Sequence, residues 1–209
     1  MHRIQQTRTL VAGAVGAIAA SQTRTGAGPL LVNGSLATAS VATMAAQQNI
    51  GLTSTGNLSA VNFTITGTND FGQAVSEVLA GPNNNTVNSV NNYLTVTAIS
   101  VSATLGTAVT VDTISVGASS VIPLDQYLNP FSVTLTVEVT GTVNVTAQYT
   151  TDDVFGSSAP FTWFTCTGML ALTASASNIA VAPVTAVRLL TNSGTGTAVF
   201  SVVQAGMVC

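Results

Sequence analysis

Hydrophobic and polar residues alternate along most of this chain. Val61, Phe63 and Ile65 are separated by Asn62, Thr64 and Thr66; Val133, Leu135, Val137 and Val139 alternate with Thr134, Thr136 and Glu138. A period of two puts one set on one face of a β-strand. It predicts strands over 61–66, 73–80, 93–103, 107–116, 133–139, 143–149, 184–190 and 198–204, with an aromatic strand or corner at Phe161-Thr162-Trp163-Phe164. The runs 133–139 and 143–149, joined by Gly141-Thr142, read as a β-hairpin with one apolar face. Turn clusters separate the runs, as in Gly67-Thr68-Asn69-Asp70 and Gly81-Pro82-Asn83-Asn84-Asn85. No alternation of strand and helix is present, which argues against α/β folds.

About ten short strands spaced by turns predict an all-β fold of antiparallel β-sandwich or jelly-roll-like domains. Residues 1–56 are low in complexity, and the periodicity of 37–48 is too poor to establish a short helix. They read as an extended N-terminal arm. Residues 57–118 then form a first sandwich half and 119–209 a second, with Gly117-Ala118-Ser119-Ser120 as the hinge.

Composition narrows the function. Only 4 basic and 7 acidic residues occur in 209, the net charge is −3, and Lys is absent. A folded chain of this size exposes roughly 9,000 Å², leaving about one charge per 800 Å², far below an ordinary soluble surface. Lys is the usual guard of exposed sheet edges. Its absence points to edges that are paired, capped or covered in an assembly. Four Arg cannot neutralise a phosphate backbone, so nucleic acid is not an expected partner. With 46% apolar residues the chain is not of the disordered class.

Residues 1–20 imitate a secretory signal: Arg3 and Arg8 precede the apolar run 10–20, and Ala17-Ile18-Ala19 resembles a cleavage site. The run is too short to span a membrane, and no membrane partner is expected. We read this segment as retained, a basic arm (Arg3, Arg8, Arg24) lying on a neighbouring subunit with an acidic body. Five Asn-x-Ser/Thr sequons, at Asn33, Asn57, Asn62, Asn84 and Asn144, match the expected chance frequency in a chain rich in these residues.

Candidate chemistry is sparse. The one His is His2; without Lys, most acid–base and covalent mechanisms lose their groups. Asp70 with Glu77, and Asp125 with Asp152 and Asp153, are the available carboxylate sets for glycoside chemistry. Asp-Asp in a Gly/Ser loop reads more simply as a turn cap, and no twelve-residue calcium loop is present. Cys166 reads as a buried thiol, and Cys209 is the last residue in the sequence. Arg188 reads as half of a structural ion pair. Trp163 reads as core, the alternative being a sugar-stacking platform. No enzyme, metal or cofactor is expected.

Two stretches resemble small structural proteins of tailed bacteriophages, of the kind found among head and head–tail components. One is Ile65-Thr66-Gly67-Thr68-Asn69-Asp70-Phe71-Gly72-Gln73 with the Ala80-Gly81-Pro82-Asn83 loop and the Leu94-Thr95-Val96-Thr97 strand. The other is Ile122-Pro123-Leu124-Asp125-Gln126-Tyr127-Leu128-Asn129-Pro130-Phe131 followed by Gln148-Tyr149-Thr150-Thr151-Asp152-Asp153-Val154-Phe155. The resemblance spans about residues 60–205. It implies a virion component made of β-sandwich domains, present in many copies. The expectation is a head decoration or cement protein that binds the major capsid protein and itself. Alternatives are a tail, fibre or head–tail connector component, or a secreted carbohydrate-binding module. The candidate interaction residues are Arg3, Arg8 and Arg24 of the arm, with Asp125 and Tyr127 in the proline-boxed segment.

Overall fold

The computed structural model describes residues 4–9, 12–115, 117–155, 161–180 and 182–205, with 4–9 and 205 described by backbone alone. Among the described residues there are nineteen strands and no helix. The first is β1 (Ile4–Thr9). Ten follow: β2 (Ala14–Gln22), β3 (Gly28–Leu30), β4 (Ala37–Thr38), β5 (Val41–Gln48), β6 (Ile50–Asn57), β7 (Asn62–Thr68), β8 (Ala74–Ala80), β9 (Asn83–Asn88), β10 (Tyr93–Val101) and β11 (Val109–Thr113). Eight more are β12 (Gly117–Ala118), β13 (Ile122–Pro123), β14 (Ser132–Thr140), β15 (Val143–Thr150), β16 (Phe164–Thr165), β17 (Ala176–Ala180), β18 (Ala186–Gly194) and β19 (Thr197–Ala205).

The chain divides into two compact units. Ala12–Ser115 form the central unit; the described residues before and after it form the terminal unit. The central unit has a six-stranded sheet, in the order β4-β5-β10-β7-β8 with β3 also on β10, and a four-stranded sheet β2-β11-β6-β9. Both sheets feed one core. Ile18, Ile50, Leu52 and Val111 come from the smaller sheet; Met44, Phe63, Ile65, Tyr93 and Ile99 come from the larger. The terminal unit has the sheets β1-β19-β14-β17 and β12-β18-β15-β16, with β13 also on β18. Its core joins Val133, Leu135, Val137, Phe200 and Val202 from the first to Val145, Ala147, Val187 and Leu189 from the second. Each unit is thus a two-layer antiparallel β-sandwich. Each buried Leu, Ile or Phe side chain contributes about 1.5–3 kcal/mol.

The segment expected to be an extended arm is sheet. Within 1–56, β2 to β6 all pair, and Ala17, Ile18, Ala19, Ala42, Ile50 and Leu52 are fully buried. Small side chains fill many buried positions here, so hydrophobic alternation is weak although the pairing is strong. The signal-like Ala17-Ile18-Ala19 is the buried middle of β2. Residues 37–48 are the strands β4 and β5. The unit boundary after Ser115 lies within three residues of the expected division at 118, but the first unit starts at Ala12 rather than at 57.

The expected hairpin 133–149 is not one. β14 pairs with β19 and β17, whereas β15 pairs with β18 and β16. Gly141-Thr142 carries the chain from one sheet to the other. The return does the same: β18 ends opposite the start of β15, and β19 begins opposite the end of β14. β14–β15 and β18–β19 are therefore one two-stranded ribbon folded over, its apolar faces meeting across the core.

Glycines permit that corner. Gly141 has φ 77° and Gly194 φ 109°, in the region that L side chains avoid. The amides of Thr195 and Gly196 both donate to the carbonyl of Thr142, at 2.9 and 2.8 Å. A Cβ on Gly194 would stand 2.5 Å from that oxygen.

The central unit makes the same fold-over from polar residues. β5 pairs with β10 and β6 with β9, so the ribbon bends at Asn49 and at 89–92. Asn49, buried, donates through Nδ2 to the carbonyls of Ser89 (2.6 Å), Val90 (3.2 Å) and Asn91 (3.2 Å). The Ser89 hydroxyl accepts the amide of Ile50 at 2.8 Å and donates to the carbonyl of Asn91. Glu77 completes the corner: its two carboxylate oxygens accept the amides of Val90 and Asn91.

Candidate interaction surface

The sequence candidates fall into both units, and each is described within its own. Arg3 lies outside the described residues. Arg8 is in β1, opposite Phe200 of β19. Arg24 belongs to the central unit. Its Nη1 donates to the carbonyl of Pro29 at 2.7 Å and its Nη2 to that of Ala27 at 3.4 Å. The guanidinium thus closes its own loop, with Gly28 stacked so tightly against it that a Cβ would stand 2.3 Å from Nη2.

Asp125 and Tyr127 lie together on the loop between β13 and β14 of the terminal unit. The anchor of this loop is Gln204, fully buried at the end of β19. Its Oε1 accepts the Asp125 amide at 2.9 Å and its Nε2 donates to the Asp125 carbonyl at 2.7 Å. The Asp125 carboxylate in turn accepts the amide of Tyr127 at 2.9 Å. This Asx turn mimics a backbone turn and holds Tyr127 outward with 87% of its surface exposed. A large amphipathic ring presented by a pinned loop is the kind of group that anchors protein interfaces. Gln204 carries no signal in the sequence; only the fold brings it to a residue 79 positions away.

Asp152 and Asp153 hold turns. Asp152 Oδ2 accepts the Thr162 amide at 2.6 Å and Asp153 Oδ1 the Phe155 amide at 3.0 Å. Glu77 caps the central corner. Among the described residues no group of three His, Cys, Asp or Glu gathers as a metal site. Asp112, which the sequence reading passed over, is buried on β11. Its Oδ1 accepts the amide of Gly16 at 2.6 Å and its Oδ2 the hydroxyl of Thr53 at 2.7 Å, joining β2 and β6 to β11. A lone acid inside the Val111-Asp112-Thr113 run was the available signal.

Arg188 stands on the outward side of β18. Its Nε donates to Gln148 Oε1 at 2.9 Å, and its guanidinium carbon lies 4.1 Å from the centre of the Trp163 ring. Trp163 is half-buried, packed edge-on to Phe161 with ring centres 6.5 Å apart. One face of the indole is thus occupied by a cation from its own chain. Cys166 is buried, and burial pushes its thiol up to about 11. Burial, with the Glu77 carboxylate nearby, likewise pushes the Tyr93 phenol upward.

The sheet edges are almost uncharged. Among the described strands the edges are β3, β4, β8, β2, β9, β1, β17, β12, β13 and β16, with β2 covered by its own chain, where the amides of Gly34 and Leu36 donate to the carbonyls of Ile18 and Ala17. Of these ten only β1, with Arg8, and β8, with Glu77, contain a charged residue. Large apolar side chains stand exposed as well, among them Val78 on β8, Ile179 on β17, Val90 and Leu170. No family model, curated protein or solved structure matches this chain.

Proposed function

We propose that this chain is a structural protein of a tailed-phage virion, a decoration or cement protein that binds the major capsid protein and stabilises the head. The observation that carries the reading is the run of uncharged sheet edges on a protein with only 11 charged residues. Unguarded edges invite further pairing, and a solvated monomer gains nothing from them. An assembly covers them. The exposed Tyr127 and the resemblance of 122–131 to phage structural proteins support the same reading. The mechanism is mechanical: a protein that binds only the assembled shell stabilises it by mass action, and symmetric repetition turns modest contacts into avidity.

The test is sedimentation of the purified chain with heads of the encoding phage assembled without it. Co-sedimentation to a saturating ratio, with a rise in the temperature at which the heads open, is the expected result. A chain that stays in the supernatant and leaves that temperature unchanged overturns the reading. Retention on insoluble polysaccharide instead would point to the carbohydrate-binding alternative.

A further inference from the structure

The free edge of the smaller central sheet is covered by the segment 31–36. β2, nine residues long, has no charged residue and no proline, so nothing on the strand itself guards that edge. The amides of Gly34 and Leu36 donate to the carbonyls of Ile18 and Ala17, both at 2.9 Å. In return the amide of Ala20 donates to Asn33 Oδ1 at 3.0 Å. Gln22 closes the far end: its Nε2 donates to the Leu31 carbonyl at 2.9 Å and its Oε1 accepts the Leu31 amide at 3.0 Å. The seat is tight at Gly34, where a Cβ would stand 2.3 Å from the Ala17 carbonyl oxygen.

Asn33-Gly34 is the one Asn-Gly pair in the chain. Such a pair is prone to deamidation, because glycine puts no side chain in the way of ring closure. The Gly34 nitrogen, its proton taken by hydroxide, attacks Asn33 Cγ. The N–Cγ bond forms, the Cγ–Nδ2 bond breaks, and Nδ2 leaves as ammonia with a proton from water. Water then opens the cyclic imide at either carbonyl, giving aspartate or isoaspartate.

Both reacting groups are the ones that fasten the segment to β2. The Gly34 N–H is covered by the Ile18 carbonyl, and the Asn33 carboxamide is held by the Ala20 amide. The reaction therefore runs from the lifted segment, at a rate set by how often it lifts. Once the imide forms, Gly34 has no hydrogen to give Ile18. Isoaspartate regains that hydrogen but carries the backbone through the side-chain carbons, one atom longer than before. The tight seat at Gly34 has no room for the longer chain. Aspartate restores the original backbone, and its carboxylate accepts the Ala20 amide as the carboxamide did.

We propose that Asn33 is a deamidation site built into the cover of β2, and that its conversion to isoaspartate uncovers this edge irreversibly. The proposal concerns the central unit alone and does not rest on shell binding.

The experiment incubates full-length protein beside a synthetic peptide of residues 28–38 at mildly alkaline pH. Conversion at Asn33 is read by peptide mass spectrometry. The folded chain should convert more slowly by about tenfold or more, and urea below the unfolding midpoint should narrow that gap. Equal rates in peptide and folded chain overturn the proposal. So does a urea arm in which Asn33 does not convert ahead of the Asn88-Ser89 and Asn192-Ser193 pairs. The isoaspartate and aspartate products are then separated, and amide hydrogen exchange is measured on each. Protection of the Gly34 and Leu36 amides should be lost in the isoaspartate form. It should be kept in the aspartate form and in the Asn33→Asp variant. Isoaspartate protein that keeps this protection contradicts the proposal, as does its equal loss in both forms.

Discussion

Asn49 donates its side-chain amide to the carbonyl of Ser89 at 2.6 Å, and the Ser89 hydroxyl accepts the amide of Ile50, next to Asn49. This exchange across 40 positions folds the β5–β6 and β9–β10 ribbon from one sheet of the central unit to the other. In the terminal unit, glycines 141 and 194 do the same for β14–β15 and β18–β19. Two unrelated chemistries thus produce one kind of corner, and the two respond differently to substitution.

Asn49→Ala removes donors to three carbonyls at a buried bend. A buried carbonyl stripped of its partner costs about 1–3 kcal/mol, and partial rehydration of the bend reduces the sum. We expect about 2–4 kcal/mol of destabilisation in urea unfolding. Combined with Ser89→Ala, the losses should be less than additive, because the two side chains share one network.

Gly194→Val tests the other corner. The residue sits at φ 109°, with a Cβ position 2.5 Å from the Thr142 oxygen. Strain and clash together predict a loss of about 2–4 kcal/mol. Gly26→Ala is the control. Its φ is 80°, but no heavy atom lies within 4 Å of the Cβ position, so only the backbone cost of about 1–2 kcal/mol applies. Equal losses at the two sites would contradict the close approach at Gly194.

Deletion of residues 1–22 discriminates strand from arm. It removes β2, whose Ile18 is fully buried and whose Gly16 amide is held by Asp112. Loss of the cooperative unfolding transition of the central unit is expected, monitored by circular dichroism and proteolysis. A truncated chain with undiminished stability would restore the extended-arm reading.

The Cys166 thiol ionises near pH 11 in the folded protein against an ordinary 9.0. The native state therefore holds its proton where the unfolded chain has lost it. The resulting stability is fully present below pH 9 and is lost as pH rises towards 11, by about 2–3 kcal/mol. Cys166→Ala should flatten that part of the profile, with the raised Tyr93 phenol adding a further fall at higher pH. In Cys209→Ser protein at pH 8, alkylation of Cys166 should be slow until denaturant unfolds the chain.

Tyr127→Ala should leave unfolding within about 0.5 kcal/mol of the parent, since the ring is exposed and touches little of the fold. Its expected effect is a loss of head binding. Gln204→Ala should weaken both, because Gln204 is fully buried and pins the loop that presents the ring.

Alternation made β7, β14 and β19 legible in the sequence, because Val, Ile, Leu and Phe mark their buried faces strongly. It could not assign strands to sheets. The face pattern of β14 and β15 is the same in a flat hairpin and in a ribbon folded at Gly141, and only long-range pairing chooses between them. β2 and β5 were missed for a different reason: Ala17, Ala19 and Ala42 fill their buried positions, and Ala marks a face weakly. At the candidate surface, Asp125 and Tyr127 were legible as part of an irregular proline-boxed loop. Their anchor was not, since Gln204 in sequence is one polar residue at the end of a strand. Arg24, singled out for its charge, turns that charge on its own loop.

The central claim is that this is an assembling structural protein whose uncharged edges are covered by copies and partners. Light scattering of the purified full-length chain tests it most directly. The account predicts a defined oligomer, its mass an integer multiple of 21.0 kDa. A monodisperse monomer at every accessible concentration, indifferent to phage heads, would contradict it.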